Sequence, residues 1–146
     1  MQYLKIKKVS PNARLPSRAT EHSAGYDLYA CISAPLLVPA GGRVTIPTGI
    51  AIEIDSSAAA FVFGRSGLGI RHGLVPSNAV GVIDSDYRGE IIVGLSNHSG
   101  VDYFVQPFER VAQMILLPVL TPPVLECEAL SDTARGDKGF GSTGKS

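Results

Sequence analysis

Apolar residues along this chain fall in short runs, some alternating with polar positions and some continuous. Leu4, Ile6 and Val9 mark a first strand, and the polar, Pro- and Ser-bearing stretch from Ser10 to Ser23 predicts a loop. Further strands are expected over Arg43 to Ile46, Ile50 to Ile54, Phe61 to Phe63, Ala79 to Ile83, Glu90 to Leu95, Tyr103 to Val105 and Val111 to Val119. Turns such as Pro39-Ala40-Gly41-Gly42 and Asn97-His98-Ser99-Gly100 separate them. No window carries a sustained helical period with caps at both ends, so at most one short helix is expected, near Ser66 to Arg71. The fold class is all-β, a jelly-roll sandwich or barrel. Met114 to Val119 is apolar at successive positions, which predicts cover on both faces, inside a sandwich or along an oligomer axis. Leu37, Val38, Ile46, Ile50, Ile52, Ile54, Phe61, Phe63 and Met114 to Leu117 are the expected core or interface, and Cys31 and Cys127 are expected as small buried hydrophobes.

Composition narrows this picture. At 146 residues there is room for one domain. The 16 Gly and 10 Pro are dispersed among the apolar runs, which fits many turns between short strands. Thirteen Lys and Arg balance thirteen Asp and Glu, so the overall charge points neither to nucleic acid nor to a membrane surface, and any anion site must be local. Two distant cysteines support neither a disulfide framework nor a zinc site, and reduced thiols suit a cytosolic protein. The basic, alternating N-terminus has no apolar core of a signal peptide, and no apolar run approaches the ~20 residues of a membrane span. Cytoplasmic placement is expected, with nuclear or virus-encoded origin left open. After Pro122-Pro123 the sequence turns acidic and then Gly-rich, which divides it into a body over 1–130 and a flexible arm over 131–146 that orders only on binding.

Three segments carry candidate chemistry. Gly139 to Ser146 satisfies the P-loop pattern G-x-x-x-x-G-K-S, but a P-loop opens a helix and the sequence ends at Ser146. Backbone amides at Gly141, with Ser142, Thr143 and Arg135 as added donors, still suit phosphate oxygens, and an isolated Phe140 among glycines suits a flat ligand. A solvated Gly/Ser tail is the plain alternative, and Arg135-Gly136-Asp137 also matches an adhesion tripeptide. Gly64-Arg65-Ser66-Gly67-Leu68-Gly69 offers amides, a cation and a hydroxyl to an anion, and a Gly-rich turn with a solvated Arg explains it equally. Gly81 to Glu90 places Asp84, Asp86 and Tyr87 in a turn between strand-like flanks, which a simple β-hairpin also explains. His22, His72 and His98 have no metal-ligand spacing.

Together with Ala24-Gly25-Tyr26-Asp27-Leu28-Tyr29-Ala30 and Glu109-Arg110-Val111-Ala112-Gln113-Met114, these segments resemble the five ordered motifs of the trimeric deoxyuridine triphosphatases, the dUTPases. The resemblance spans nearly the whole chain. It implies a jelly-roll homotrimer with active sites shared between chains. It further implies cleavage of dUTP to dUMP and pyrophosphate with magnesium, which limits uracil in DNA and supplies dUMP for dTMP synthesis. It makes Asp84 the general base for water, with Asp86 as rival, and packs Tyr87 against the deoxyribose. Asn78 and the backbone from Ala79 to Ile83, Gly81 included, would read the uracil edge. Arg65, Ser66, Gly67 and Gln113 would hold phosphates or the water, and Asp27 would lie in the outer, water-mediated shell of magnesium. Phe140 would cover the base while Arg135, Gly141, Ser142 and Thr143 close on the terminal phosphates. Lys138, where the family tail usually has Gly, and Gly69, where Ala is frequent, depart from the pattern. An Asp is ionised but weakly basic at neutral pH, so positioning must carry most of the rate. A deaminase of the same fold acting on dCTP and a non-catalytic nucleotide-binding regulator are the alternative functions.

Overall fold

A computed structural model describes residues 3–137 of the chain. Its elements in order are β1 (Lys5–Lys8), β2 (Tyr26–Tyr29), β3 (Leu36–Val38), β4 (Arg43–Pro47), β5 (Ile50–Glu53), β6 (Ala58–Phe63), α1 (Ser66–His72), β7 (Leu74–Pro76), β8 (Gly81–Ile83), β9 (Ile92–Asn97), β10 (Tyr103–Val105) and β11 (Arg110–Pro118). Every expected strand is present within a few residues, and the one helix among the described residues lies where the Gly-rich bend was. β2, β3 and β7 were not expected as strands. No helix among the described residues is long and apolar enough to cross a membrane.

All strand pairings are antiparallel. A four-stranded sheet runs β2-β11-β6-β8, a three-stranded sheet runs β4-β9-β7, and β1-β5 and β10-β3 form two-stranded ribbons. This is a jelly roll, in which consecutive strands switch between sheets and bury apolar faces between them. Leu28, Ile46, Ile50, Leu74, Leu95, Val105, Val111 and Met114 are fully buried. Truncating such a side chain to Ala costs roughly 2–5 kcal/mol, because the surrounding layers cannot collapse fully into the void.

β11 is the central strand of the larger sheet, and it carries a bulge. Arg110 lies opposite Tyr29, but the next partner of Leu28 is Ala112, so Val111 is the extra residue. Val111 and Ala112 are both at 0 % exposure, and beyond them Gln113 faces Asp27. The shift by one position moves Arg110 off the Ala112 and Met114 face and onto the face shared by Tyr29, Asp27 and Gln113.

Several expectations are corrected. Glu90 to Leu95 does not pair back on Ala79 to Ile83: β8 pairs with β6, while β9 belongs to the other sheet, so the Asp84 turn links two sheets and is no hairpin. Ala79 opens no strand, because its φ of 62° is left-handed and Val80 turns back on the Asn78 carbonyl. Of the run expected inside a sandwich or along an oligomer axis, only its start is covered by its own chain: Met114 is buried, Ile115 and Leu116 are half-buried, and Leu117 and Pro118 are exposed. Cys127 is exposed and Cys31 half-buried, so neither is a fully buried hydrophobe, while of the residues expected in core or interface Leu37 is exposed and Phe61 and Phe63 are half-buried. Beyond Val119, whose amide reaches the Ser57 carbonyl, Leu120, Val124, Leu125 and Leu130 lie at the surface.

Candidate active site

The first cluster forms where β6 runs into α1. Arg65 occupies the N-cap position of that helix in an extended conformation, and Ser66 opens it. Gly67 and Gly69 disfavour helix, so the turn depends on its anchors. Leu68 is buried, and the left-handed Gly73 (φ 67°) closes the helix by donating to Gly69. A Cβ on Gly73 would sit 2.9 Å from the Ser99 amide nitrogen, so no larger residue fits that stop. Arg65 Nε donates to Asp27 Oδ1 at 2.9 Å, and Arg110 Nη1 donates to Asp27 Oδ2 at 3.2 Å. Gln113, between Asp27 on β2 and Phe63 on β6, donates from Nε2 to the Gly64 carbonyl at 2.9 Å. Asp27, Arg65, Ser66 and Gln113, with Gly25 and Ser23, line a cavity of 290 Å³. The lining itself pairs one guanidinium, Arg65, with one carboxylate, and Arg110 behind it brings the three-residue cluster to one net positive charge, which suits an anion.

The second cluster forms at β8. This strand is the outer edge of the larger sheet, so among the described residues no strand pairs with the other side of its backbone. The turn before it is tight: the Ala79 amide reaches Pro76 O at 3.0 Å and the Val80 amide reaches Asn78 O at 2.7 Å. That turn lays the Asn78 amide over Gly81, where a Cβ would come within 3.5 Å of Nδ2 and 3.2 Å of Val62 Cβ. Asn78, Gly81, Ile83 and Tyr87 help to line a cavity of 430 Å³, within the range of small-ligand sites. Tyr87 is held by its hydroxyl, which donates to Glu90 O at 3.0 Å, and by its amide, which donates to Asp84 O at 3.2 Å. Arg88 clamps the same turn from Nη1 to Ser85 O at 2.7 Å and Tyr87 O at 3.0 Å. Asp84 and Asp86 are both exposed on it.

The dUTPase family model matches residues 11–144, more than nine-tenths of the sequence. The chain belongs to the dUTPase family. A deoxyuridine 5'-triphosphate nucleotidohydrolase of Oryza sativa subsp. japonica is 48% identical over 97% of this chain and 80% of its own length. One of the same name from Leptothrix cholodnii is 47% identical over 90% of this chain and 89% of its own. The dUTPase of Staphylococcus bacteriophage 80alpha, solved with dUPNHPP, superposes with a TM-score of 0.91 at 26% identity, covering 99% of this chain and 100% of that one.

Within this dUTPase chain the expected site residues therefore fall into two groups. Asp27, Arg65, Ser66 and Gln113 share one cavity, and Asn78, Gly81 and Tyr87 share the other. Neither lining includes Asp84 or Gly67, although Gly67 follows Ser66 directly on α1. Arg135 is exposed on the C-terminal segment. Phe140, Gly141, Ser142 and Thr143, with Lys138, lie outside the described residues. For magnesium, the test is Asp27. Both its oxygens already accept from guanidiniums, its side chain is 11% exposed, and no group of three metal-ligating side chains occurs among the described residues. Such a carboxylate fits a water-mediated neighbour of a nucleotide-bound cation and does not fit an inner-sphere cage.

Sequence reasoning assigned no role to Arg110, Gly25 or Gly89. A Cβ on Gly25 would meet Gln113 Oε1 at 2.9 Å, and one on Gly89 would meet Tyr87 Oη at 2.4 Å. Both glycines make room for a neighbouring side chain, Gln113 and Tyr87 respectively. Each stood within a segment already singled out, but only the three-dimensional contact reveals what it accommodates.

Proposed function

We propose that this chain hydrolyses dUTP to dUMP and pyrophosphate at sites completed by association into a homotrimer. The observation that carries the reading is the continuity of β8 and its turn: an open strand edge under Asn78, the Asp84 carboxylate, and the Tyr87 ring follow one another within ten residues. Uracil pairs with the β8 edge and the Asn78 amide, and Tyr87 packs on the deoxyribose, leaving no volume at C2′ for a hydroxyl. Arg65, Ser66 and Gln113 take phosphate oxygens in the cationic cavity. Asp84 accepts a proton from water as its oxygen bonds to the α-phosphorus. The bond from that phosphorus to the bridging oxygen breaks, and pyrophosphate leaves with the electron pair. Magnesium on the triphosphate supplies charge neutralisation for the leaving group, with Asp27 as a water-mediated neighbour.

Association is supported by two features. The nucleoside and phosphate groups line separate cavities within one chain. Leu117 near the end of β11 and Leu120 just beyond it are apolar and exposed among the described residues. The arm over 131–146, carrying Arg135 and Phe140, closes on a neighbour's site. Neither deamination of dCTP nor catalytically idle binding gains support, since the named relatives are nucleotidohydrolases. The test is pyrophosphate release from dUTP, dCTP, dTTP and UTP with and without magnesium, on wild type and Asp84→Asn. The expected result is turnover of dUTP alone, reduced at least ~10²-fold in the variant while affinity for a non-hydrolysable dUTP analogue persists. Turnover of dCTP with ammonia release, or near-normal turnover in Asp84→Asn, would overturn the respective assignment.

A further inference from the structure

The charged side chains at the phosphate cavity form a closed ring. Asp27 Oδ1 accepts from Arg65 Nε at 2.9 Å, Asp27 Oδ2 accepts from Arg110 Nη1 at 3.2 Å, and Arg65 Nη1 donates to the main-chain carbonyl of Arg110 at 3.4 Å. Arg110 thus restrains Arg65 twice, through the shared carboxylate and through its own backbone. The ring is built on the β11 bulge, which turns Arg110 onto the Asp27 face and leaves the main chain there free of regular register.

We infer that Arg110 is a positioning residue for polyphosphate recognition, holding Asp27 on the Nε side of Arg65 so that the outer fork of the guanidinium is left for phosphate. The inference rests on the reading of this cavity as the polyphosphate site. A guanidinium has five N–H donors. The ring takes one at Nε and one at Nη1, so three remain, including both on Nη2. A carboxylate facing a single Arg prefers the two-pronged pairing, which consumes the same donors that bind phosphate. Arg110 disfavours this by drawing the second oxygen toward its own Nη1. It also offsets the carboxylate charge, so the ring as a whole stays cationic with Asp27 in place. Arg110 itself is not among the residues lining the cavity.

The test is a double-mutant cycle read by calorimetric binding of a non-hydrolysable imido analogue of dUTP, with deoxyuridine as the ligand that lacks phosphates. Arg110→Ala is expected to weaken analogue binding by roughly ten- to a hundredfold and leave deoxyuridine binding unchanged. Arg110→Lys should restore most of the loss, since one donor on Oδ2 suffices. In an Arg65→Ala background, Arg110→Ala should add less than about threefold, because its effect travels through Arg65. Full additivity would show that Arg110 meets phosphate directly and would overturn the inference. Equal losses for analogue and deoxyuridine would also overturn it, by exposing a merely structural role. Arg110→Gln, which keeps one donor for Oδ2 without the charge, carries the same cycle if the alanine variant does not fold. A wild-type protein that binds the analogue in this pattern but turns over no dUTP would sink the hydrolase reading and keep this one.

Discussion

Gly89→Ala offers a way to move Tyr87 without touching it. Gly89 is outside the left-handed region, so its backbone accepts a Cβ. The obstacle is the tyrosine: the new methyl would lie 2.4 Å from Oη, 2.5 Å from Cζ and 3.0 Å from Cε2. Ordinary carbon contacts are about 3.5–4.0 Å, so the ring must retreat by about 1 Å. Tyr87 is 46% exposed, which lets the ring swing outward instead of straining the core. The stability cost is then limited to the hydrogen bond from Oη to Glu90 O, roughly 0.5–1.5 kcal/mol with water as replacement. The catalytic cost is larger, since displacing a positioning group by 1 Å can cost about 10²-fold. The dUTP over UTP preference should narrow roughly ten- to a hundredfold, with a Tm change of only a few degrees. Steady-state kcat/KM for both nucleotides, beside thermal melts, separates the two effects. In a Tyr87→Ala background, Gly89→Ala should add nothing. An unchanged preference in Gly89→Ala, or an equal effect once Tyr87 is gone, would refute the placement of this ring against the sugar.

Shared sites predict complementation: Asp84→Asn refolded with the chain truncated after Ala134 should regain activity in roughly a quarter of sites, whereas parts drawn from one chain would leave the mixture dead. Tyr103 gives a pH signature. Burial first, then its hydrogen bond to Glu109 Oε1 at 2.6 Å, pushes the phenol up to about 12. The folded state therefore keeps a proton that the unfolded chain loses near pH ~10, so the stabilisation is whole below that pH and is lost as pH rises toward 12. Urea midpoints from pH 9 to 12 should fall more steeply for wild type than for Tyr103→Phe, and parallel curves would contradict this.

Strand positions were legible where the signal had length. Ile50 to Ile54 alternates over five positions, and β5 (Ile50–Glu53) lies within it. β3 and β7 were not, because each is three residues long and bounded or ended by Pro, with ladder bonds supplied by distant β10 and β9. Pairing partners set those strands, and periodicity does not encode partners. The same limit applies to the Asp84 turn. Its flanks look like two arms of a hairpin in sequence, yet β8 takes β6 as its neighbour and β9 takes β4 and β7. What makes β8 an edge strand is thus a property of sheet order.

The bulge in β11 shows how one residue can hide chemistry from a sequence reader. Strict alternation puts Arg110 with Ala112 and Met114, both at 0 % exposure, on a face where an arginine would be buried without a partner. The extra Val111 reverses that assignment and brings Arg110 beside Tyr29, across from Asp27. Asp27 in turn shows only 8% of its surface, an exposure at which a lone carboxylate is costly and one paired with two guanidiniums is not. Removing Arg110 therefore does more than delete a surface cation: among the described residues it leaves Asp27 with Arg65 as its one guanidinium partner. The bulge and the buried carboxylate make sense together, since each would be a defect without the other.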